Sequence, residues 1–231
     1  MRALLSEAPG GPETLRLSEV EEPEPGPGQL LVRVKACAIN YPDVLIIEDK
    51  YQFRPPRPFA PGGEIAGIVE RIGEGVTGWS KGDRVIAMLG HGGLAEKVLV
   101  PAAMALPLPE GRSFDEGSAL ILTYATTIHA LLDRGRLKPG ETLLVLGAAG
   151  IPRLPLNLTL LKSCDVRGVF WGAFAARDPK ANAAHVDTLF RLWAEGKISP
   201  RVSRTWPLAE GAEAIAHMAA RKAVGKLVVT M

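Results

Sequence analysis

The first residues with a chemical signature form a glycine turn directly after an apolar strand. Residues 142–146 read TLLVL, a continuous apolar run that suits a strand buried on both faces of a parallel sheet. The turn that follows consists of Gly147, Ala148, Ala149 and Gly150. In dinucleotide-binding folds such a turn, with the free amides of the next helix, holds the cofactor's pyrophosphate. The pattern predicts the start of a nucleotide-binding domain.

The chain after this turn does not continue as that domain requires. The next residues read IPRLP, and Pro152 and Pro155 have no amide hydrogen to offer a phosphate. A complete domain needs a long helix and further strands, on the order of a hundred residues in all. We therefore expect the cofactor site to be vestigial and this form of the protein to bind no cofactor.

The cysteines and histidines do not indicate metal chemistry. Cys37 and Cys164 lie far apart and form no CxxC pair, which favours two buried, reduced thiols. We predict no metal site and expect the histidines to pack or to face solvent, because no ligand spacing relates the four of them: His91, His129, His185 and His217.

Composition is that of an ordinary globular protein. The 231 residues are 47% hydrophobic and 23% charged, which allows a sizeable core and one or two domains. The net charge of +2 is spread along the chain and points to neither nucleic acid nor a membrane as partner. No apolar run approaches the roughly 20 residues that cross a bilayer. The first residues lack the apolar core of a signal peptide, so we expect a cytoplasmic protein.

The elements that would position a site fall into two regions. The first hundred residues predict short strands at 1–5, 30–37, 62–73, 83–88 and 96–101, with glycine turns between them, which is typical of a partly closed barrel. Later segments follow helical spacing or short apolar runs. They predict helices at 113–134, 155–162, 181–195 and 208–222, and strands at Asp165–Phe170, 201–206 and 226–230. Ser113 and Glu116 form a capping box at the start of the first of these helices.

Five stretches, in this order and spacing, carry a family resemblance. They read CAINYPDVL from residue 37, PGGEIAGIVERIGEGV from 61, KGDRV from 81, LTYATTIHAL from 122 and TLLVLGAAG from 142. With the tail from residue 157 onward, they resemble the zinc-independent quinone reductases of the medium-chain dehydrogenase/reductase superfamily. The resemblance implies a GroES-like β-barrel catalytic domain, built from both ends of the chain, with a Rossmann domain inserted between them.

The resemblance also implies that most of the inserted domain is deleted between Gly150 and Ile151. We expect a β-rich α+β fold: a partly open GroES-like barrel at 1–134 plus 198–231, and a Rossmann remnant at 135–197. The remnant could close as one βαβ unit from residues 142–146 and Asp165–Phe170. In the family this last strand pairs with its counterpart in a second subunit, so its exposed edge predicts a homodimer.

The resemblance assigns the site residues. Zinc-dependent relatives carry a cysteine where this chain has Asn40 and a histidine where it has Gly63, which implies chemistry without zinc. Asn40 and Thr127 are placed beside the nicotinamide of NADPH and the reacting carbonyl of a quinone or enone. Asn40 could instead be a turn residue, and the Thr127 hydroxyl could bond the preceding helical turn.

Further pocket residues surround these two. Tyr41 and Asp43 flank Asn40 on the same loop, and Tyr51 could line a substrate pocket or pack on the barrel. Trp171, after the last predicted Rossmann strand, could close the pocket.

Three functions stay open. The first is a truncated, inactive oxidoreductase, whose in-register junction favours deliberate excision. The second is a module that binds a small carbonyl compound or quinone, and the third is a reductase with residual NADPH activity.

Overall fold

The chain divides into two compact units. A computed structural model describes residues 1–143, 156–161 and 166–231. The first unit combines Met1–Leu122 with Ser199–Met231, and the second is Thr123–Ile198. Both ends of the chain therefore build one unit.

A mixed, largely antiparallel sheet dominates the first unit. In the described ranges, this sheet has seven strands, which in chain order are β3 (Gln29–Ile39), β4 (Glu64–Ile72), β5 (Arg84–Met88), β6 (Lys97–Pro101), β7 (Ala105–Pro107), β8 (Val202–Pro207) and β9 (Lys226–Thr230). The first two strands, β1 (Arg2–Leu5) and β2 (Arg16–Glu19), form a separate two-stranded sheet. These bounds confirm the predicted strands of the first hundred residues and of the tail to within a few positions. The fold is α+β with a predominant sheet, as predicted.

The long strand β3 organises this sheet. It pairs antiparallel with β4 along most of its length, with β6 over its first half and with β9 over its second half. Two register irregularities within the β3–β4 pairing let one strand serve these different neighbours. The C-terminal strand β9 is thereby inserted beside a strand from the N-terminal region.

The core of the first unit lies on the inward faces of these strands. Leu30, Ile39, Ile65, Ile86 and Leu227 expose at most 1% of their surface. Burial of such side chains contributes about 1.5–3 kcal/mol each relative to an exposed position. The β1–β2 pair joins this unit through isolated bridges between Ala3 and Ala95 and between Ser6 and Phe59.

The helix predicted at 113–134 is helical but broken. The first helix of the chain, α1, is short and spans Tyr41–Ile47. The segment predicted at 113–134 consists of α2 (Phe114–Ser118), α3 (Ile121–Ile128) and a π-helix at His129–Gly135. The capping box is confirmed, because the Glu116 amide donates to Ser113 Oγ at 3.1 Å and the Ser113 amide donates to Glu116 Oε2 at 3.2 Å.

Helices make up the regular structure described in the second unit. α4 (Leu156–Leu161) and α6 (Pro179–Ala194) confirm two predicted helices, and α5 (Trp171–Arg177) lies between them. Asp178 caps α6 by accepting the Ala181 amide at 2.9 Å. In the first unit, a 3₁₀ turn at Leu208–Glu210 leads into α7 (Gly211–Ala219). Together they confirm the helix predicted at 208–222. Across the three described ranges, no helix combines the length and apolarity needed to cross a membrane.

The predicted Rossmann remnant is only partly observed. The strand predicted at Asp165–Phe170 is wrong for residues 166–170, which form no regular strand and are exposed. A strand needs a hydrogen-bonded neighbour, which an apolar composition alone does not provide. Residues 144–155, with most of the other predicted strand and the whole turn from Gly147 to Gly150, lie outside the described residues.

Candidate active site

Three strand ends of the first unit meet at one place. Asn40 directly follows β3, while Glu64 begins β4 and Lys226 begins β9. Because both pairings are antiparallel, the end of β3 lies beside the beginnings of its neighbours: Ala38 is opposite Glu64, and Ile39 is opposite Leu227. Residues up to 186 positions apart in sequence are thus brought into contact.

These three residues form a buried polar network, here called the buried triad. Lys226 Nζ donates to Glu64 Oε2 at 2.9 Å and to Asn40 Oδ1 at 2.6 Å. Asn40 Nδ2 donates to Glu64 Oε2 at 3.1 Å and to Ala38 O at 3.3 Å. Glu64 is 0% exposed, Asn40 6% and Lys226 8%. The negative and positive charges balance each other away from solvent, and Asn40 bridges them.

The second carboxylate oxygen of Glu64 explains the break in the predicted helix. Glu64 Oε1 accepts the Leu122 amide at 2.9 Å, in the first turn of α3. Amides at a helix start have no partner within the helix, and the helix dipole favours a negative charge there. Glu64 therefore acts as a cap supplied by another element, and α3 begins as a new helix after α2.

Asp43 fixes the loop that carries Asn40. Its Oδ2 accepts the Asn40 amide at 2.7 Å, and its Oδ1 accepts the Gly62 amide at 3.0 Å. Burial raises the pKa of Asp43 to about 6, although the two backbone hydrogen bonds act in the opposite direction. The Asp43 carboxyl thus ties α1 to the chain entering β4, rather than pointing into open solvent.

The residues at the positions of the zinc ligands in related dehydrogenases do not fit a zinc ion. Asn40 offers a neutral amide whose nitrogen donates to Glu64 and to Ala38 O and whose oxygen accepts from Lys226. Gly63 offers no side chain, and a Cβ built there would lie 2.9 Å from Leu89 O, too close for a larger residue without a shift. Lys226 adds a positive charge beside Glu64, which disfavours a cation at this place.

The other predicted pocket residues of this unit lie near Asn40 in sequence. Tyr41 and Tyr51 are partly buried and pack against the main core, so packing accounts for part of their burial. Burial and the nearby charge of Asp43 raise the pKa of Tyr51. Cys37 is buried and unpaired, as predicted, and burial raises the pKa of its thiol. The pocket roles of both tyrosines stay predictions.

Thr127 and Trp171 belong to the second unit. Thr127 is exposed, and its Oγ1 donates to Thr123 O at 2.8 Å, which is the helical-turn contact considered as its alternative. Trp171 is 8% exposed, and its Nε1 donates to Asn182 Oδ1 at 2.9 Å. These contacts account for both side chains structurally, and their functional roles stay predictions.

Two groupings were missed from the sequence. The ion pair between Glu64 and Lys226 was not predicted, although each charge stands at the start of an apolar strand. The approach of His129 and His185 to the same carboxylate, that of Asp133, was not predicted either. The four-residue spacing from His129 to Asp133 on a predicted helix was a local signal for that grouping.

Most of the chain matches two families of known domains. Residues 26–110 match the alcohol dehydrogenase GroES-like domain, and residues 117–229 match the zinc-binding dehydrogenase domain. The first match confirms the predicted GroES-like architecture of the N-terminal part. The second extends over the tail that returns to the same sheet through β8 and β9.

Individual relatives agree with these families. A quinone oxidoreductase-like protein 2 homolog of Nematostella vectensis is 27% identical over 299 residues, covering 88% of this chain and 82% of the relative. Rattus norvegicus quinone oxidoreductase is 41% identical over 152 residues, covering 65% of this chain but only 46% of the relative. The latter match thus spans less than half of that protein's length.

Solved structures show the same fold. A probable oxidoreductase from Mycobacterium abscessus superposes with a TM-score of 0.87 at 29% identity, covering 100% of this chain and 99% of the other. A mycobacterial protein complexed with NADPH superposes with a TM-score of 0.82 at 22% identity, covering 100% of both chains.

Removal of one charge from the buried triad is predicted to destabilise the protein strongly. Lys226→Met leaves the Glu64 carboxylate buried without its cation, which costs about 3–5 kcal/mol in the free energy of unfolding. Glu64→Gln similarly leaves the Lys226 ammonium without a counter-charge. The double variant removes both charges, so we expect its loss to be smaller than the sum of the single losses by about 1–3 kcal/mol. Urea denaturation of all four proteins measures this difference.

A solvent-exposed ion pair provides the control. Lys50 Nζ lies 2.8 Å from Glu48 Oε2, and the Lys50 side chain is 68% exposed. Lys50→Met should cost much less free energy of unfolding than Lys226→Met, because water screens an exposed ion pair. Strictly additive losses at Glu64 and Lys226, or a Lys226→Met loss as small as that of Lys50→Met, would contradict the energetic role of the buried pair.

Proposed function

Because this chain belongs to the medium-chain dehydrogenase/reductase superfamily, and to its quinone oxidoreductase type, we propose that it is the catalytic domain of a zinc-independent, NADPH-dependent quinone or enone reductase. Most of the nucleotide-binding domain is missing, and this form is inactive as a reductase. It retains the surface that would hold the substrate. The buried triad is the observation that supports this proposal. The resemblance aligns Asn40 with a zinc ligand of related dehydrogenases, and here its amide is held by Lys226 and Glu64.

Zinc-free chemistry is consistent with the charge balance of the buried triad. Direct hydride transfer requires the protein mainly to position the reacting groups. Asn40 is held by Lys226 and Glu64 and presents no net charge, and its Oδ1 keeps one acceptor lone pair beyond the bond from Lys226. Such an oxygen suits the hydroxyl of a reduced quinone. Asn40 would therefore orient a substrate or product, with Glu64 and Lys226 as positioning residues.

An internal deletion is supported by the length of one alignment. The match to the Nematostella relative extends over 299 residues, more than the 231 residues of this chain, so the relative has residues that this chain lacks. The sequence places the gap at the junction of Gly150 and Ile151. Family motifs on both sides of this junction are intact, which favours deliberate excision over gradual decay.

The residues near the junction do not fit a dinucleotide. Gly147 to Gly150 supply part of a phosphate-binding turn, but Pro152 and Pro155 lack the amide hydrogens that the next helix start would offer. The next helix, α4, has only six residues. The strand that would select NAD or NADP at the ribose does not follow in the sequence. We therefore expect this chain to have no useful affinity for NADPH, which would be the cofactor of the intact parent.

Calorimetric titration with NADPH, combined with turnover measurements in the same sample, tests the proposal. Duroquinone is a suitable acceptor, because its four methyl groups prevent addition of thiols to the ring. We expect no heat of NADPH binding and no NADPH oxidation above background, together with an increase in melting temperature when duroquinone alone is added. NADPH oxidation well above background would show residual reductase activity and contradict inactivity.

Two variants separate a substrate surface from nonspecific binding. Tyr51→Ala alters a predicted pocket residue and should reduce the duroquinone-induced shift in melting temperature at least several-fold. Met104→Ala alters an exposed residue elsewhere in the unit and should leave the shift unchanged. The absence of a shift in the unaltered protein would contradict the retained substrate surface. An equal shift in both variants would contradict its location.

We also propose that the chain forms a homodimer through Asp165–Phe170. In the described part of this segment, Val166 is 65% exposed, Val169 38% and Phe170 54%. Exposed apolar side chains on a segment that forms no regular strand in its described residues favour burial against a second copy. Gel filtration at micromolar concentration should show a dimer, and Val166→Lys should shift it to a monomer. A monomeric unaltered protein would contradict the proposal.

A further inference from the structure

The second unit contains a cluster of metal-ligating side chains that the proposed function does not use. His129 and Asp133 lie one turn apart on the π-helix, and His129 Nδ1 is 2.6 Å from Asp133 Oδ2. His185, in the middle of α6, brings its Nε2 to 3.4 Å from the same oxygen. One potential ligand atom of each residue lies within 4.8 Å of the other two. Two imidazoles and one carboxylate thus converge on one point.

The two imidazole rings are held by packing. The Phe174 ring stacks on His129, with centroids 4.0 Å apart and planes inclined by 15°. It also lies 5.3 Å from the His185 ring at an inclination of 28°. His129 is 4% exposed and Phe174 is 7% exposed. A ligand that binds both rings therefore needs to immobilise little additional side-chain freedom.

The helices that carry the cluster are tied to each other. Trp171, at the start of α5, donates its Nε1 hydrogen to Asn182 on α6 at 2.9 Å. Asp178 caps the start of α6. These contacts fix Phe174 and His185 relative to each other, because both lie on the two tied helices. The cluster is thus built on helices and not on a loop.

One nitrogen of the cluster has no hydrogen-bond partner. His185 Nδ1 is buried and finds none among the residues that the structure describes. Nδ1 lies across the ring from Nε2, the nitrogen that faces Asp133, so a metal at the cluster would bind Nε2 and leave Nδ1 to carry the ring hydrogen. A charged or polar ligand at the cluster would offset the burial of two imidazoles beside one carboxylate.

We propose that His129, Asp133 and His185 bind a divalent transition-metal ion, with zinc as the favoured metal. Imidazole ligands favour zinc and its neighbours over magnesium and calcium, which prefer oxygen. Zinc–nitrogen bonds of about 2.0–2.1 Å in a tetrahedron place ligand atoms roughly 3.3 Å apart. The His185–Asp133 distance already matches this spacing. A metal bound at Nδ1 of His129 would require the neutral tautomer with its hydrogen on Nε2, and the metal would replace the direct contact between His129 and Asp133.

The carboxylate side of the cluster is the side most open to water. The Asp133 side chain is 36% exposed, whereas the two histidine side chains are 5% and 13% exposed. Zinc with three protein ligands keeps an open position for water or another small ligand. This site is separate from the buried triad, which belongs to the first unit and has no room or charge for a cation.

Calorimetric titration with zinc chloride, on protein without a polyhistidine tag, tests the proposal. We expect one zinc ion per chain, and visible absorption bands of tetrahedral intensity when cobalt(II) is used instead. His185→Gln and Asp133→Asn should each weaken zinc binding at least tenfold. Both positions are partly exposed, so the variants should fold, and far-UV circular dichroism verifies this.

A histidine of the first unit provides the matched control. His217 is on α7, and His217→Gln should leave zinc affinity and the cobalt spectrum unchanged. The proposal is overturned if the unaltered protein binds no zinc up to millimolar concentration, or if both cluster variants bind zinc as tightly as the unaltered protein. Zinc binding and duroquinone binding are measured separately, so failure of one proposal does not affect the other.

Discussion

A buried ion pair between residues 162 positions apart is the constraint on which the first unit depends. Removing two charges from water costs several kcal/mol per ion, so such a pair is tolerated only with good geometry and further hydrogen bonds. Each additional bond comes from a different element: Asn40 from the end of β3 and the Leu122 amide from the start of α3. Because Lys226 opens β9, the C-terminal strand must be seated beside β3 before Glu64 is neutralised. The network therefore specifies how both ends of the chain join in one sheet.

The same constraint shapes the candidate site. Asn40 occupies a position that could ligate zinc in related dehydrogenases, but here its amide bridges a carboxylate and an ammonium. A metal would have to displace Lys226, and the tight backbone at Gly63 leaves no place for the missing histidine. Among the described residues, all strands of this sheet lie within the first unit, so the polar group without net charge is held by elements from that unit alone.

Local sequence patterns predicted much of this architecture. Alternation in β3 and β4 and the Ser113–Glu116 capping box depend on near neighbours, and the structure confirms them. The ion pair of Glu64 and Lys226 could not be predicted in this way, because nothing local shows which distant charge a buried residue meets. The strand expected at Asp165–Phe170 failed at residues 166–170 for a related reason: its composition suits a strand, but composition does not show whether a neighbouring strand is there to pair with it. The grouping of His185 with His129 likewise depends on how α6 packs within the second unit.

The central claim is that the buried ion pair makes both chain ends one cooperative unit. Native-state amide hydrogen exchange of β9 tests this claim most directly. Amides in the innermost elements of a cooperative unit exchange only through global unfolding. The account predicts that the hydrogen-bonded amides of residues 227–230 share the slowest exchange class with those of β3 and β4, and that Lys226→Met accelerates all three strands together. Fast, independent exchange of β9, with β3 and β4 still protected, would contradict it.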